Sequence, residues 1–113
     1  MAVINIYSFY GNSTTSADSN VAFLSPAANE TYIIKSIRVT NKSGSNTPTI
    51  SITNNAFFIT HTQQLTANTS VELISLPLVV VGGTVLKYST AGTVSDGVDI
   101  AISYLNINKE VTT

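Results

Sequence analysis

The stretch YIIKSIRVTNKSGSNTPTISITN, from Tyr32 to Asn54, decides the fold of this 113-residue chain. It holds two runs in which apolar and polar residues alternate, joined by a loop of Asn, Lys, Ser, Gly and Pro. Alternation with a period of two puts one set of side chains on each face of a β-strand, and a polar loop between two such runs is typical of antiparallel pairing. The stretch therefore predicts an antiparallel sheet with one buried face.

The same pattern continues along the chain, and no window shows the apolar spacing of a helix. We expect about eight strands, at Ala2–Tyr10, Asn20–Leu24, Thr31–Asn41, Thr49–Thr53, Phe57–Thr62, Ser70–Leu76, Thr84–Ser89 and Val98–Ile107. The sequence thus predicts an all-β fold, a single antiparallel β-sandwich domain spanning residues 1–113. Eight strands suit a jelly roll and seven would suit an immunoglobulin-like topology, and the pattern leaves both open.

Alternation also predicts which side chains form the inner layer of the sandwich. They are Ile50, Ile52, Leu86, Tyr88, Val98, Ile100, Ile102 and Tyr104. Strict alternation would bury Lys35, and a buried unpaired ammonium costs several kcal/mol. We therefore expect a β-bulge at Lys35–Ser36 that keeps Ile34, Ile37 and Val39 inside, although Lys35 reaching solvent from the rim is an alternative.

Glycines and polar residues mark the connections between the strands. Gly82-Gly83 predicts a two-residue hairpin that pairs the strand ending at Val81 with the strand starting at Thr84. Two longer polar loops, residues 11–20 and 41–48, contain little that could be buried. We expect both loops at the surface, where they are candidates for contact with other molecules.

The composition excludes several classes of function. Only 10% of residues are charged and the net charge is −1, so electrostatic repulsion between copies is weak and association is favoured. Five basic residues against six acids give little affinity for nucleic acid. There is no cysteine, hence no disulfide. The start MAVINIYSFYGN lacks the features of a signal peptide, and no apolar run is long enough to span a membrane.

Few residues could carry chemistry, and we expect no enzymatic activity, cofactor, metal or small-molecule ligand. His61 is the only histidine, and neither a second histidine nor a cysteine could complete a metal site with it. Asp96 and Asp99 are the closest pair of acids, and we expect a turn at Asp96-Gly97 with Asp99 on an exposed strand face. A sugar-stacking platform is an alternative role for aromatic residues, namely Tyr7, Phe9, Tyr10, Tyr32, Tyr88 and Tyr104.

The span from about Tyr32 to Ile107, with IIKSIRVTN, ISITN, VELISLPLVVVGGTVLKY and VDIAISYLNI, resembles small β-sandwich virion proteins of tailed bacteriophages. These are head decoration (cement) proteins and compact neck or tail components. The resemblance implies a structural protein that binds copies of itself, commonly as a homotrimer, and the major capsid protein or other virion proteins. It implies a place in the virion after assembly in the host cytoplasm.

The functional hypothesis is therefore a capsid decoration or cement protein that stabilises the head by bridging neighbouring capsid subunits. A tail, neck or head-fibre component is one alternative, and a carbohydrate-binding β-sandwich module is another. We predict that the interface is formed by the polar loops and the N-terminal strand. The N-terminal strand could be exchanged between neighbouring copies. The residues named are Tyr7, Phe9, Tyr10 and Thr14.

Overall fold

A computed structural model describes residues 3–109, and that part of the chain contains nine β-strands and no helix. The strands are β1 (Val3–Thr14), β2 (Val21–Leu24), β3 (Glu30–Asn41), β4 (Thr49–Asn54), β5 (Phe57–Gln64), β6 (Ser70–Glu72), β7 (Leu78–Val81), β8 (Leu86–Ala91) and β9 (Val98–Lys109). They form two antiparallel sheets packed against each other, so the predicted all-β sandwich is confirmed. Across residues 3–109 there is accordingly no helix with the length and apolarity needed to cross a bilayer.

The pairing of the strands is nested and identifies the topology. Sheet A has the order β1-β9-β3, with β6 and β7 both paired to the far edge of β3, and sheet B has the order β2-β8-β4-β5. The first four strands thus pair with the later ones in reverse order: β1 with β9, β2 with β8, β3 with β6 and β7, and β4 with β5. Such a long hairpin rolled into two four-stranded layers is a jelly roll. Because β6 and β7 share one position, the nine strands fill eight positions.

The core lies between the sheets and consists of the alternate strand residues that were predicted to face inward. Every residue of the predicted inner layer is buried except Tyr104, which is half-buried and packs on Tyr32 with ring centroids 4.7 Å apart. The side chains with no measurable exposure are Ile34, Ile37, Val39, Ile50, Ile52, Val80, Leu86, Val98 and Ile102. Each such side chain contributes roughly 1.5–3 kcal/mol by leaving water.

The predicted bulge in β3 is confirmed. The register between β3 and β9 shifts between Ile34 and Ser36, so Lys35 has no partner on β9. Lys35 and Arg38 are exposed, while Ile34 and Ile37 are fully buried. The extra residue lets the chain place two cations in solvent without losing its inner apolar row.

The predicted hairpin at Gly82-Gly83 is wrong. Val81 and Thr84 do close a turn through the Thr84 N–H and the Val81 carbonyl at 3.2 Å, but the two arms then separate. β7 pairs with β3 in sheet A, and β8 pairs with β2 and β4 in sheet B. The turn therefore carries the chain from one sheet to the other. A turn does occur at the two glycines, but a primed turn requires a positive φ at its first central residue, Gly82, and only Gly83 has one. The partner of each arm depends on distant strands.

Parts of the two polar loops are more buried than expected. β1 continues to Thr14, inside the first predicted loop, and in the second loop Asn41 and Ser43 are buried. The Asn41 amide donates to the carbonyls of Asn46 and Leu65, and its oxygen accepts the Ser43 N–H at 3.0 Å. Small polar side chains can be buried when nearby backbone groups satisfy their hydrogen bonds.

Candidate functional site

Strand β1 forms an open edge of sheet A. It pairs with β9 in an unbroken register from Val3 opposite Lys109 to Thr14 opposite Val98. No other strand of residues 3–109 pairs with its second edge. Alternate residues of an edge strand direct backbone N–H and C=O groups outward, and those groups can accept a further strand. The edge is thus a ready hydrogen-bonding surface along β1.

The N-terminal half of β1 exposes apolar side chains on both faces of the sheet. Tyr7 is 81% exposed and Phe9 is 69% exposed on the outer face. On the inner face Ile4 and Ile6 are each 52% exposed. Large apolar side chains clustered on one segment are unusual for a free surface, where they generally mark a contact site.

The exposed aromatic residues continue into a patch across sheet A. Directly opposed residues share a face, and the pairings align Tyr7 with Leu105, Leu105 with Ile33, and Ile33 with Val79. A second row contains Ile107 and Val81. We call these residues the outer apolar patch: Tyr7, Ile33, Val79, Val81, Leu105 and Ile107. All six are exposed or half-buried, and no element of the described chain covers them.

Sheet B has a different outer face. Its strands β4 and β8 pair Thr49 with Ala91, Ser51 with Ser89, and Thr53 with Lys87. Their neighbours in the strands, such as Ile50 and Ile52, are the ones that face the core. Hydroxyl groups therefore predominate on the exterior of β4 and β8, while Phe58, which is 56% exposed opposite Thr53, lies on the outer face of β5 at the edge of sheet B.

The sequence analysis did not predict the outer apolar patch, although three of its six residues could have been recognised from the alternation within their strands. Ile33, Leu105 and Ile107 occupy the outward parity of long strands whose inward parity was assigned to the core. Val79 and Val81 belong to β7, for which the sequence predicted only a strand ending at Val81 in a hairpin with the next strand. Reading both parities of each strand would have found three of the six residues.

The four predicted interface residues occupy different environments. Tyr7 and Phe9 are exposed together, two residues apart on the outer face. Tyr10 lies on the inner face, 6.0 Å from the Phe23 ring, and burial followed by the nearby Tyr88 raises its pKa. Thr14 is only 6% exposed, and its hydroxyl donates to the Ser16 carbonyl at 3.0 Å. The interface role of these residues stays a prediction, and exposure favours Tyr7 and Phe9.

A shallow open depression of about 400 Å³ lies beside Phe9. Its lining is Phe9, Gly11, Asn12, Ser13, Asp99, Ile100 and Ala101. Asp99 forms an ion pair with Lys42 at 3.0 Å. A hydrogen bond from Ser13 and then the Lys42 ammonium hold the pKa of Asp99 below its usual range. This carboxylate is therefore ionised at neutral pH and can accept hydrogen bonds, but it does not donate a proton.

The residues considered for catalysis do not come together. His61 is exposed on β5, where its ring contacts Phe58 at a centroid distance of 4.4 Å. Asp96 is exposed in the turn before β9, where the Gly97 N–H bonds the Val94 carbonyl at 2.9 Å. Within residues 3–109 no three His, Cys, Asp or Glu side chains are grouped closely enough to hold a metal ion.

The aromatic platform considered for sugar stacking is also divided. Tyr32 and Tyr88 are buried in the core, and Tyr10 and Tyr104 are half-buried beside it. Only Tyr7 and Phe9 of the six rings present large exposed surfaces.

No protein-family model and no curated protein matches the chain. The features of the described residues that bear on function are the edge of β1, the outer apolar patch and the depression beside Phe9.

Proposed function

We propose that this protein is a non-enzymatic structural protein of a tailed-bacteriophage virion, and specifically a capsid decoration or cement protein. In this role it binds neighbouring capsid subunits and stabilises the head by bridging them. The observation that carries the proposal is the outer apolar patch beside the open edge of β1. The resemblance of the strand sequences to small phage virion proteins supports the same class.

The energetics of such a patch favour assembly. Burying apolar surface contributes about 25 cal/mol per Å², and Val79, Val81 and Tyr7 are each at least half exposed. A single small contact of this kind is weak, since association also loses translational and rotational freedom. Repetition over a particle raises the effective concentration of each further contact, so modest interfaces accumulate into firm attachment.

The jelly roll supports the proposal only by analogy. Jelly rolls occur in viral capsid proteins and in lectins, and a shared fold does not by itself assign a function. The partner proposed here is the major capsid protein, with other virion proteins as the variant in which the chain belongs to the tail, neck or head fibre.

Co-sedimentation with capsids tests the proposal. The protein is incubated with particles assembled from the major capsid protein encoded in the same gene cluster, and bound protein is measured after sedimentation. We expect saturable binding that falls at least tenfold in Val79→Lys, because a charge then enters the outer apolar patch.

The matched control is Phe57→Lys, which replaces an exposed apolar side chain of sheet B by the same charge and should bind like the natural protein. A gene cluster without capsid, portal or tail genes, together with no binding to particles, would refute the proposal.

A second candidate function is carbohydrate binding, and one observation favours it. The exposed Phe9 ring stands beside Asn12, Ser13 and Asp99, which offers a stacking surface next to groups that can hydrogen-bond sugar hydroxyls. A glycan array separates the candidates. Carbohydrate binding predicts a saturable signal that Phe9→Ala abolishes and Phe57→Ala, a change at an exposed ring in sheet B, leaves intact.

A further inference from the structure

Within residues 3–109 the two sheets have four edges, and three of these edges are protected against pairing with a further strand. On β5, register shifts follow Ile50 and Ile52 of its partner β4, and Thr62 has a positive φ of 51°. β2 has only four residues and a register shift of its own. The fourth position of sheet A is divided between β6 and β7, which have three and four residues. Bulges and short strands of this kind prevent edge-to-edge association.

β1 has none of these protections. It extends over 12 residues, and its register with β9 is continuous. The sequence VINIYSFYGNST contains no charged residue and no proline. Natural edge strands are commonly guarded by lysine, proline or a bulge, so a long, neutral and regular edge is suited to receive another strand.

We propose that β1 pairs antiparallel with β1 of a second copy of this chain about a two-fold axis next to Tyr7. The pairing joins the two A sheets into one continuous sheet. A two-fold axis normal to the sheet keeps the outer faces on the same side, so Tyr7 lies opposite Tyr7 of the second copy. In this register Ile4 is opposite Tyr10, and Asn5 is opposite Phe9.

Several features of β1 select a second copy as the occupant. Because β1 carries no charge, two copies meet without like-charge repulsion and leave no buried ion unpaired. The apolar residues lie on both faces, so each copy covers Ile4 and Ile6 on one face and Tyr7 and Phe9 on the other. An antiparallel pair of identical strands is also self-complementary, as a closed two-fold interface requires.

The exposed apolar side chains of β1 supply part of the area that a stable interface covers. Tyr7 and Phe9 together leave about 300 Å² of aromatic side chain in solvent, since each such ring carries 150–250 Å². A stable interface covers about 800 Å² per partner. Ile4, Ile6 and the backbone of β1 supply further area at the same edge. The inference stands independently of the proposed virion role, and its two-fold symmetry differs from the homotrimer that the phage resemblance implies.

Light scattering after size-exclusion chromatography measures the oligomer directly. We expect twice the mass of the chain for the natural protein, and a monomer with the circular dichroism spectrum of the natural protein for the double variant Tyr7→Lys, Phe9→Lys. Phe57→Lys is the matched control, because Phe57 is 79% exposed on β5 and should tolerate the charge without loss of the dimer. A monomeric or trimeric natural protein overturns the inference, as does a dimer that survives the double variant.

Disulfide trapping tests the register, since the chain has no cysteine of its own. Directly opposed residues of an antiparallel pair lie about 4.5–5.5 Å apart between Cα atoms, within the range that a disulfide bridges. Tyr7→Cys should therefore form a cross-linked dimer on mild oxidation. In Phe9→Cys the two thiols are four strand positions apart, about 13 Å, and should remain free. Cross-linking at position 9 instead of 7 overturns the register, and cross-linking at neither overturns the pairing.

Discussion

At the scale of single residues, Gly82 and Gly83 are adjacent glycines required for different reasons. A Cβ at position 82 would collide with the carbonyl oxygen of Ala27, where the turn after β7 passes the neighbouring loop. Gly83 has open space around it, but its φ of 85° lies in the left-handed region. One glycine is needed for a close approach and the other for its backbone conformation.

The two glycines should consequently respond differently to the same substitutions. Gly82→Ala should lower the free energy of unfolding by about 1–3 kcal/mol through steric overlap. Gly83→Ala should lower it by about 1–2 kcal/mol through backbone strain, and Gly83→Asn by less, since asparagine tolerates this region. Urea denaturation of the three variants measures the differences. Equal effects of alanine and asparagine at position 83 would contradict a conformational cause.

Asp99 should make stability depend on pH. Its pKa is lowered in the folded protein by Ser13 and then by Lys42, so the stabilisation is present above the unfolded value near 3.8 and is lost as pH falls through the folded value. Asp99→Asn should lower stability at pH 7 by less than about 1 kcal/mol, because both partners of the ion pair are well exposed.

Thermal unfolding at pH 7 and near pH 2 measures this contribution. The difference between the natural protein and Asp99→Asn should disappear at the lower pH. Asp96→Asn removes the same charge from an exposed turn residue and is the control, with no change expected at either pH. A difference that persists in acid would show that the ion pair is not the cause.

At the scale of elements, the bulge in β3 defines which deletions the fold tolerates. Lys35 is the residue without a partner on β9, so its deletion leaves Ile34, Ser36 and Ile37 opposite their present neighbours. We expect the Lys35 deletion to fold with a loss of less than about 2 kcal/mol. Circular dichroism and thermal unfolding check this.

Deletion of Thr40 is the matched experiment in a regular part of β3. There the removal of one residue turns Asn41, the last residue of β3, to the outer face, so its buried amide loses the carbonyls of Asn46 and Leu65. We expect this variant to lose more stability than the Lys35 deletion, about 3 kcal/mol or more. A stable Thr40 deletion would mean that the register of β3 is only loosely specified.

The sequence predicted what is local to each strand. Parity in Val98–Ile107 and Thr49–Thr53 placed the core side chains correctly, because period-two alternation and the cost of burying Lys35 are properties of short segments. The choice between a jelly roll and an immunoglobulin-like topology stayed open because it depends on which distant strands pair. The Gly82-Gly83 hairpin failed for the same reason.

The candidate site was less predictable than the core. Tyr7 and Phe9 were named from the N-terminal strand, whereas Leu105, Ile33 and Val79 meet them only through pairings between remote segments. The burial of Thr14 depends on β1 reaching four residues beyond its predicted end at Tyr10. The outward-facing residues of separate strands can be assigned to one patch only when the strand order is known. Alternation along a strand carries no information about strand order.

At the scale of the whole molecule, nested pairing should make folding slow. β1 pairs with β9 at the opposite end of the sequence, and β2 pairs with β8 inside that loop. Long-range pairings lose chain entropy before their contacts form, so refolding should take on the order of milliseconds to seconds. Stopped-flow circular dichroism measures the rate. Complete refolding within microseconds would contradict the dependence on topology.

A circular permutant sharpens that test. Joining the two ends by a flexible linker and opening the chain between Gly92 and Thr93, which are both exposed, keeps every strand but makes β1 and β9 neighbours in sequence. The closure entropy of this pair then falls, and we expect faster refolding with little change in the unfolding rate. An unchanged refolding rate would indicate that β1 joins the sheet after the rate-limiting step.

The pairing of Val3 with Lys109 also has a topographic consequence. The loops after Thr14 and Asn41 and the turn before Val98 gather at the opposite pole of sheet A, since these three residues align across it. Val3 and Lys109 lie together at the other pole, beside the open margin of β1. A bulky fusion there would obstruct that margin, whereas an epitope inserted at the far pole, between Gly92 and Thr93, would be displayed without hindering it.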